Sequence, residues 1–275
     1  MKEMIDAATS LYGLIGNPVA QSLGPLMHNR AFAAIGYNAV YLAFKVADPD
    51  SAIKGIRALN FNGVSVTLPH KVAVMEYLDD VDETAARIGA VNTIVNRQGR
   101  LIGYNTDCPG AIKALRTQTT LQSKSVAIIG AGGAARAIGF GLVSAGARVT
   151  ILNRTTTAGE RLAADLQAEF SPLNDWQPNR YEILINTTPV GMYPEKDASP
   201  ISKEALSENM VVMDIIYNPI KTCLLKAAEA KNCRTIDGVA MFVFQGAHQF
   251  ELWTGQRAPV EVMHRAVLEA LKGTE

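Results

Sequence analysis

The sequence predicts an α/β architecture in two domains, with βαβ units and a mostly parallel sheet, and three observations carry that prediction. Short apolar runs alternate with helical patterns from end to end, as βαβ units require. A glycine-rich turn, Gly130-Ala131-Gly132-Gly133-Ala134-Ala135, stands between an apolar run and a helical pattern. The chain has 275 residues, 48% of them hydrophobic, enough for one large core or two modest ones.

Taken in order, strands are expected over 11–15, 39–44 and 63–67, and helices over 25–35, 49–59 and 70–78. Asp48-Pro49 offers an N-cap followed by proline at the first helical position, and Gly36 stands where a helix would stop. A hairpin-like pair, 90–96 and 101–104, is joined through Gln98-Gly99-Arg100. A helix over 107–116 follows, and the domain boundary is expected in or just before it. The second half reads strand 125–129, helix 134–145, strand 148–152, helix 158–168, strands 182–186 and 210–215, and helix 221–230. The segments 241–253 and 260–271 carry apolar residues at helical spacing, with Val260, Met263, Val267 and Leu271 on one stripe.

Composition excludes several function classes. The 26 basic and 26 acidic side chains cancel, so no excess field is available for nucleic-acid phosphates or an anionic membrane. The longest weakly polar stretch, 126–152, carries Arg136 and Arg148 among many Gly and Ala, so no transmembrane helix is expected. Lys2, Glu3 and Asp6 interrupt any apolar leader, and Cys108, Cys223 and Cys233 form no CxxC pair; both features point to the cytoplasm. The histidines His28, His70, His248 and His264 are dispersed, so no metal is expected. A small-molecule partner is the remaining class.

The glycine-rich turn points to a dinucleotide. Gly130 permits the tight turn, Gly132 lets the backbone approach a pyrophosphate, and Ala135 lets the helix pack closely on the strand. Gly133 and Ala134 open the helix, whose N-terminal N–H groups and dipole suit an anion. At the end of the next strand, where an NAD enzyme places a carboxylate against the ribose, the chain has Asn153-Arg154-Thr155. Arg154 pairs naturally with a 2′-phosphate, and Asn153 and Thr155 add neutral hydrogen bonds, so NADP is the expected cofactor.

Four polar clusters stand beside strand ends in the first half: GNPVAQS (16–22), VSVTLPHK (64–71), GAVNT (89–93) and GYNTD (103–107). Taken singly each has an ordinary structural role, such as Ser22 as an N-cap, Thr67 as strand filler, Asn92 in a turn and Asp107 as an N-cap. Their joint occurrence at strand ends argues for one pocket for a polyhydroxylated ligand.

Together with GAGGAARA (130–137), NRT (153–155), INTTPVGM (185–192), DIIYNPIKT (214–222) and DGVAMFVFQGAHQFELWTG (237–255), these motifs resemble the shikimate dehydrogenase family over nearly the whole chain. The resemblance implies an N-terminal α/β substrate domain over 1–107, a Rossmann-type NADP domain over 108–238, and C-terminal helices over 239–275 that return to the first domain. It implies NADPH-dependent, reversible reduction of 3-dehydroshikimate to shikimate in aromatic amino-acid biosynthesis, by a monomer or homodimer. Lys71 and Asp107 then look like the catalytic pair, and Ser22, Thr67, Asn92, Tyr217 and Gln245 match substrate-binding positions. Thr187, Thr188 and Met192 would line one side of the nicotinamide, and Gly238 and Met241 the other. The chemistry agrees with these residue types, since an ammonium both protonates and stabilises a nascent alkoxide.

Two departures stand out. The first motif commonly carries a second serine where this chain has Gly24, and the position after NRT that often holds another arginine is Ala158. The first weakens the carboxylate end of the site and keeps a quinate or dual quinate/shikimate dehydrogenase as the alternative; the second leaves Arg154 as the main phosphate contact. A non-catalytic NADP-binding sensor would not need Lys71 with Asp107, and a folate-linked dehydrogenase would not need the hydroxyl-rich first half.

Overall fold

Two six-stranded sheets organise the molecule, a computed structural model that describes residues 5–177 and 179–272. Lys2 and Glu3 of the N-terminal reading, and 273–275 at the end of the expected C-terminal helices, lie outside the described residues. The chain divides into two units. One takes the described residues up to Thr106 and from Gln245 onward, and the other is Asp107–Phe244, against expected boundaries at 107/108 and 238/239.

The first unit runs β1 (Ser10–Gly16), α1 (Gly24–Ala34), β2 (Ala39–Lys45), α2 (Pro49–Ala58), β3 (Gly63–Val66), β4 (Asp80–Val81), α3 (Glu83–Ile88), β5 (Thr93–Arg97) and β6 (Arg100–Tyr104). Its sheet has the order β2-β1-β3-β5-β6-β4, and it is mixed: β3 pairs antiparallel with β5, and β5 with β6. Ile15, Val64, Val66, Val91, Ile94 and Leu101 fill its core with Ile53 and Ile56 of α2. Asp48 caps α2 as expected, accepting from the Asp50 and Ser51 amides. Gln98 and Gly99 both have positive φ, 55° and 90°, giving the two-residue primed turn whose twist suits a hairpin.

Three expectations in this unit need correction. The helix expected over 70–78 is only a 3₁₀ segment at Ala73–Tyr77. The Lys71 carbonyl accepts from the Val91 amide at 2.8 Å and the His70 ring bonds the Val46 carbonyl at 2.9 Å, so tertiary bonds hold the first turn out of helical register. The strand expected from 90 begins at Thr93, because the Val91 and Asn92 amides bond Lys71 and Tyr104 instead of a regular ladder. Helix α3 was not expected, although its Asp82 N-cap and left-handed Gly89 C-cap are both readable in sequence.

The second unit runs α4 (Asp107–Arg116), β7 (Ser125–Ile129), α5 (Gly133–Ser144), β8 (Arg148–Asn153), α6 (Thr156–Leu166), β9 (Glu169–Pro172), β10 (Ile183–Asn186), β11 (Val211–Asp214), α7 (Cys223–Glu229) and β12 (Arg234–Ile236). Strands β9 and β12 were not foreseen; each is short and lies at a sheet edge. The sheet order β12-β11-β10-β7-β8-β9 is that of a doubly wound nucleotide fold, with every pairing parallel. Continuous apolar strands such as Val126–Ile129 and Ile183–Ile185 are buried on both faces, which a parallel sheet covered by helices demands.

Helix α8 (Gly238–Thr254) starts in the second unit and ends in the first, and α9 (Val260–Lys272) follows. Trp253 of α8 donates to the Ile94 carbonyl at 3.0 Å and covers Gly63 so closely that an added Cβ there would lie 2.3 Å from the indole. Gly246 likewise makes room for Met27 of α1. Among the described residues, no helix is long and apolar enough to cross a membrane.

Candidate active site

In the first unit the polar clusters gather at the ends of β1, β3 and β6 and around α8. Thr67 directly follows β3, its amide bonded to the Ile15 carbonyl at 2.9 Å, and its methyl packs where a Gly16 side chain would be. Lys71 follows on the same loop and is half-buried. Ser22 precedes α1 and accepts from the Gly24 amide at 3.2 Å, although the helix N-cap position is Leu23.

Asn92 is 2% exposed and sits at the centre of a hydrogen-bonded group. Its Oδ1 accepts from the Thr106 amide at 2.7 Å and from Thr93 Oγ1 at 2.8 Å, and its Nδ2 donates to Thr106 Oγ1 at 3.0 Å. Thr106 Oγ1 in turn lies 3.5 Å from Gln245 Oε1, so Asn92 and Gln245 are brought into one cluster by a residue not singled out from sequence. Asn105 is tied back to the Ala90 carbonyl at 2.9 Å. The cluster continues through Gln249, Ser65 and Tyr41, whose hydroxyl donates to Ser65 Oγ at 2.8 Å and whose burial pushes the phenol upward. Sequence offered two signals for these: Ser65 shares a strand face with Thr67 at spacing two, and Gln249 shares a helix face with Gln245 at spacing four. A Cβ on Gly24 would lie 3.2 Å from Ser22 Oγ and 3.4 Å from Tyr41 Oη, so the position left bare by glycine adjoins two hydroxyls.

Asp107 and Tyr217 belong to the second unit. Asp107 opens α4 and is 9% exposed. Tyr217 follows β11, rests on Phe242 with ring centroids 5.0 Å apart, and burial raises its phenol pKa. The neighbouring Cys108 is pushed up by burial to about 11, which leaves it an inert thiol.

The nucleotide side of the second unit lies at the point where strand order reverses, outside the carboxyl ends of β7 and β10. Gly130 has φ +113°, and a Cβ there would meet Thr187 Oγ1 at 2.5 Å, so only glycine fits between the two strand ends. Gly132 is the N-cap of α5 with no side-chain cap, the first turn holds no acidic residue, and a Cβ on Gly132 or Gly133 would meet nothing within 4 Å. Uncapped N–H groups over open ground fit a pyrophosphate. Asn153 Nδ2 holds the Thr155 carbonyl at 2.8 Å, shaping the turn that carries exposed Arg154. Arg136 is committed to Asp165 at 2.6 Å, and Ala158 is exposed on α6, so Arg154 is the guanidinium presented at this turn.

Thr187 and Thr188 are held from behind. Thr187 Oγ1 donates to the Ile129 carbonyl at 2.6 Å, and Asn186 Oδ1 accepts from the Thr188 amide and hydroxyl at 3.0 and 2.7 Å. Asn186 leans on Asp214, wholly buried, which also accepts from the Ile216 amide and Thr222 Oγ1. Burial raises the Asp214 carboxyl pKa against these three donors. Met192 is exposed, whereas Gly238 packs on the Ile215 and Ile216 backbone and Met241 joins the unit's apolar core. Among the described residues no group of three or more His, Cys, Asp or Glu could hold a metal ion.

Residues 14–94 match a family profile described as the shikimate dehydrogenase substrate binding domain. Residues 113–237 match shikimate / quinate 5-dehydrogenase, and 238–268 the shikimate 5′-dehydrogenase C-terminal domain. A shikimate dehydrogenase (NADP(+)) of Geobacillus kaustophilus is 49% identical over 95% of this chain and 99% of its own. A crystal structure of a shikimate dehydrogenase in complex with NADP⁺ superposes with a TM-score of 0.95 at 44% identity, covering 98% of each chain. The shikimate 5-dehydrogenase of Thermus thermophilus, in complex with NADP(H) and shikimate, gives 0.90 at 36% identity over 96% of this chain and all of that one. With matches spanning both units in order, the chain belongs to the shikimate dehydrogenase family.

Proposed function

We propose that this chain reversibly reduces 3-dehydroshikimate to shikimate with NADPH as the hydride donor, in aromatic amino-acid biosynthesis. The observation that carries the reading is the cluster of buried Asn92, Thr93 and Thr106 with half-buried Gln245 at the strand ends of the first unit, at the same end of the sheet as half-buried Lys71. Such an array suits a ring bearing several hydroxyls and a carboxylate.

In this reading Ser22, Thr67, Asn92, Tyr217 and Gln245 hold the substrate. Lys71 donates its ammonium proton to the nascent alkoxide, with Asp107 as the carboxylate of the catalytic pair. Gly130, Gly132, Gly133 and Ala134 receive the pyrophosphate, and Asn153, Arg154 and Thr155 the adenosine 2′-phosphate. Thr187, Thr188, Met192, Gly238 and Met241 attend the nicotinamide half. The bound cofactor supplies the hydride and its acceptor form. Cys108, Cys223 and Cys233 form no disulfide, which suits the reducing cytoplasm.

Gly24 favours a second reading, turnover of quinate, because it places no side chain and no hydroxyl beside Ser22 and Tyr41, where the family commonly has a second serine. The test follows NADPH formation at 340 nm with shikimate and then quinate, each with NADP and NAD. Shikimate with NADP is expected to be the best pair; no turnover of shikimate would overturn the proposal.

A further inference from the structure

Gln249 stands one helical turn beyond Gln245 on α8, 3% exposed, with both ends of its amide engaged. Its Nε2 donates to the Asn92 carbonyl at 3.2 Å and to Thr93 Oγ1 at 3.0 Å, and its Oε1 accepts from Ser65 Oγ at 3.0 Å. A backbone carbonyl only accepts, so the Asn92 carbonyl decides which end of Gln249 carries the N–H groups. Gln249 donates to Thr93 Oγ1, so that hydroxyl's single proton goes onward, and the nearer acceptor is Asn92 Oδ1 at 2.8 Å, against 3.2 Å to Thr106 Oγ1. The Thr106 amide, which only donates, meets the same Oδ1 at 2.7 Å. Asn92 is therefore held with its Oδ1 as the acceptor of the Thr106 amide and Thr93 Oγ1, and its Nδ2 as the donor end, one N–H of which goes to Thr106 Oγ1.

We infer that Gln249 is a positioning residue for the substrate. Acting through Thr93 and the Asn92 carbonyl, it sets Asn92 as a hydrogen-bond donor, so the ligand group that Asn92 meets is an acceptor oxygen. The inference rests on the reading of Asn92 as substrate-binding. Gln249 acts through its neighbours, Ser65, Thr93, the Asn92 backbone and the His28 side chain. Without it, Thr93 is released to bond Thr106, Asn92 Oδ1 loses one of its donors, and the Asn92 carbonyl loses the Gln249 amide.

Three variants test this: Gln249→Met, close in shape but without the amide, Thr93→Val, which removes the relay hydroxyl, and Thr93→Ser, which keeps it. The readouts are kcat and KM for shikimate, the NADPH dissociation constant by fluorescence, and the thermal midpoint. Gln249→Met and Thr93→Val are expected to raise KM for shikimate roughly tenfold, the worth of one buried hydrogen bond, with NADPH binding unchanged. Thr93→Ser is expected to stay within about twofold of wild type. A lowered thermal midpoint with unchanged KM, or Thr93→Ser as impaired as Thr93→Val, would overturn the inference; if Gln249→Met does not fold, the Thr93 pair decides alone. A wild-type enzyme inert toward shikimate would overturn the functional reading and this inference with it, whereas an active wild type with an unaffected Gln249→Met variant overturns this inference only.

Discussion

His28 makes the first unit sensitive to acid. It lies on α1, 1% exposed, stacked on Tyr41 at 4.6 Å and beside Trp253 at 5.1 Å, and its Nδ1 has no hydrogen-bond partner. Burial holds its pKa down at about 3, against 6.5 for an exposed imidazole, with a smaller upward pull from Gln249. Because the folded value is the lower one, the unfolded chain binds the extra proton between these two values. Stability is therefore full above pH 6.5 and is lost as pH falls toward 3. At about 1.4 kcal/mol per pKa unit the whole loss is about 5 kcal/mol, of which about 2 kcal/mol falls between neutral pH and pH 5. The chain has two tryptophans, so in a Trp176→Phe background Trp253 fluorescence follows urea unfolding of the first unit alone. The protein carrying His28 should lose about 2 kcal/mol more than His28→Leu between pH 7.5 and pH 5. Parallel losses in the two proteins would refute the argument, whatever their absolute stabilities, because carboxylates titrate alike in both.

Three further outcomes concern the site. Lys71→Ala should lower kcat roughly 10²–10⁴-fold while NADP affinity stays near native, and near-native turnover would remove Lys71 from the chemistry. Arg154→Ala should raise KM for NADP by the equivalent of about 1–3 kcal/mol and leave NAD nearly unaffected; equal effects on both would refute the phosphate contact. Gly24→Ser should lower KM for shikimate by up to about a hundredfold and depress any quinate turnover. Gly24 opens α1 without a positive φ, and the added Cβ would press at 3.2 Å only on the Ser22 side chain, so serine is accommodated by a small shift. An unchanged shikimate-to-quinate ratio of kcat/KM would show that Gly24 does not tune the carboxylate end.

What the sequence determined by itself is what local chemistry dictates. Proline after Asp48, glycine after a helical run, the Gln98-Gly99 turn and the unbroken apolar strands of the second half each specify conformation within a few residues. The glycine turn before α5 and the turn at Asn153-Arg154-Thr155 were legible as turns for the same reason, since each follows a strand and opens a helix within a few residues. Tertiary structure decided the rest. The 70–78 segment has helical periodicity, yet the Lys71 carbonyl and His70 ring are drawn to Val91 and Val46, many residues away in each case. The antiparallel entry of β5 into the first sheet, and the short edge strands β9 and β12, depend on which neighbours supply hydrogen bonds. Ser65 and Thr106 stood in polar clusters and Gln249 in a long helical motif, but which of them pair was not legible, because a hydrogen bond spanning 184 residues, as from Ser65 to Gln249, is not written in local spacing. Their role exists only once folding removes water and leaves each buried donor and acceptor to find the other.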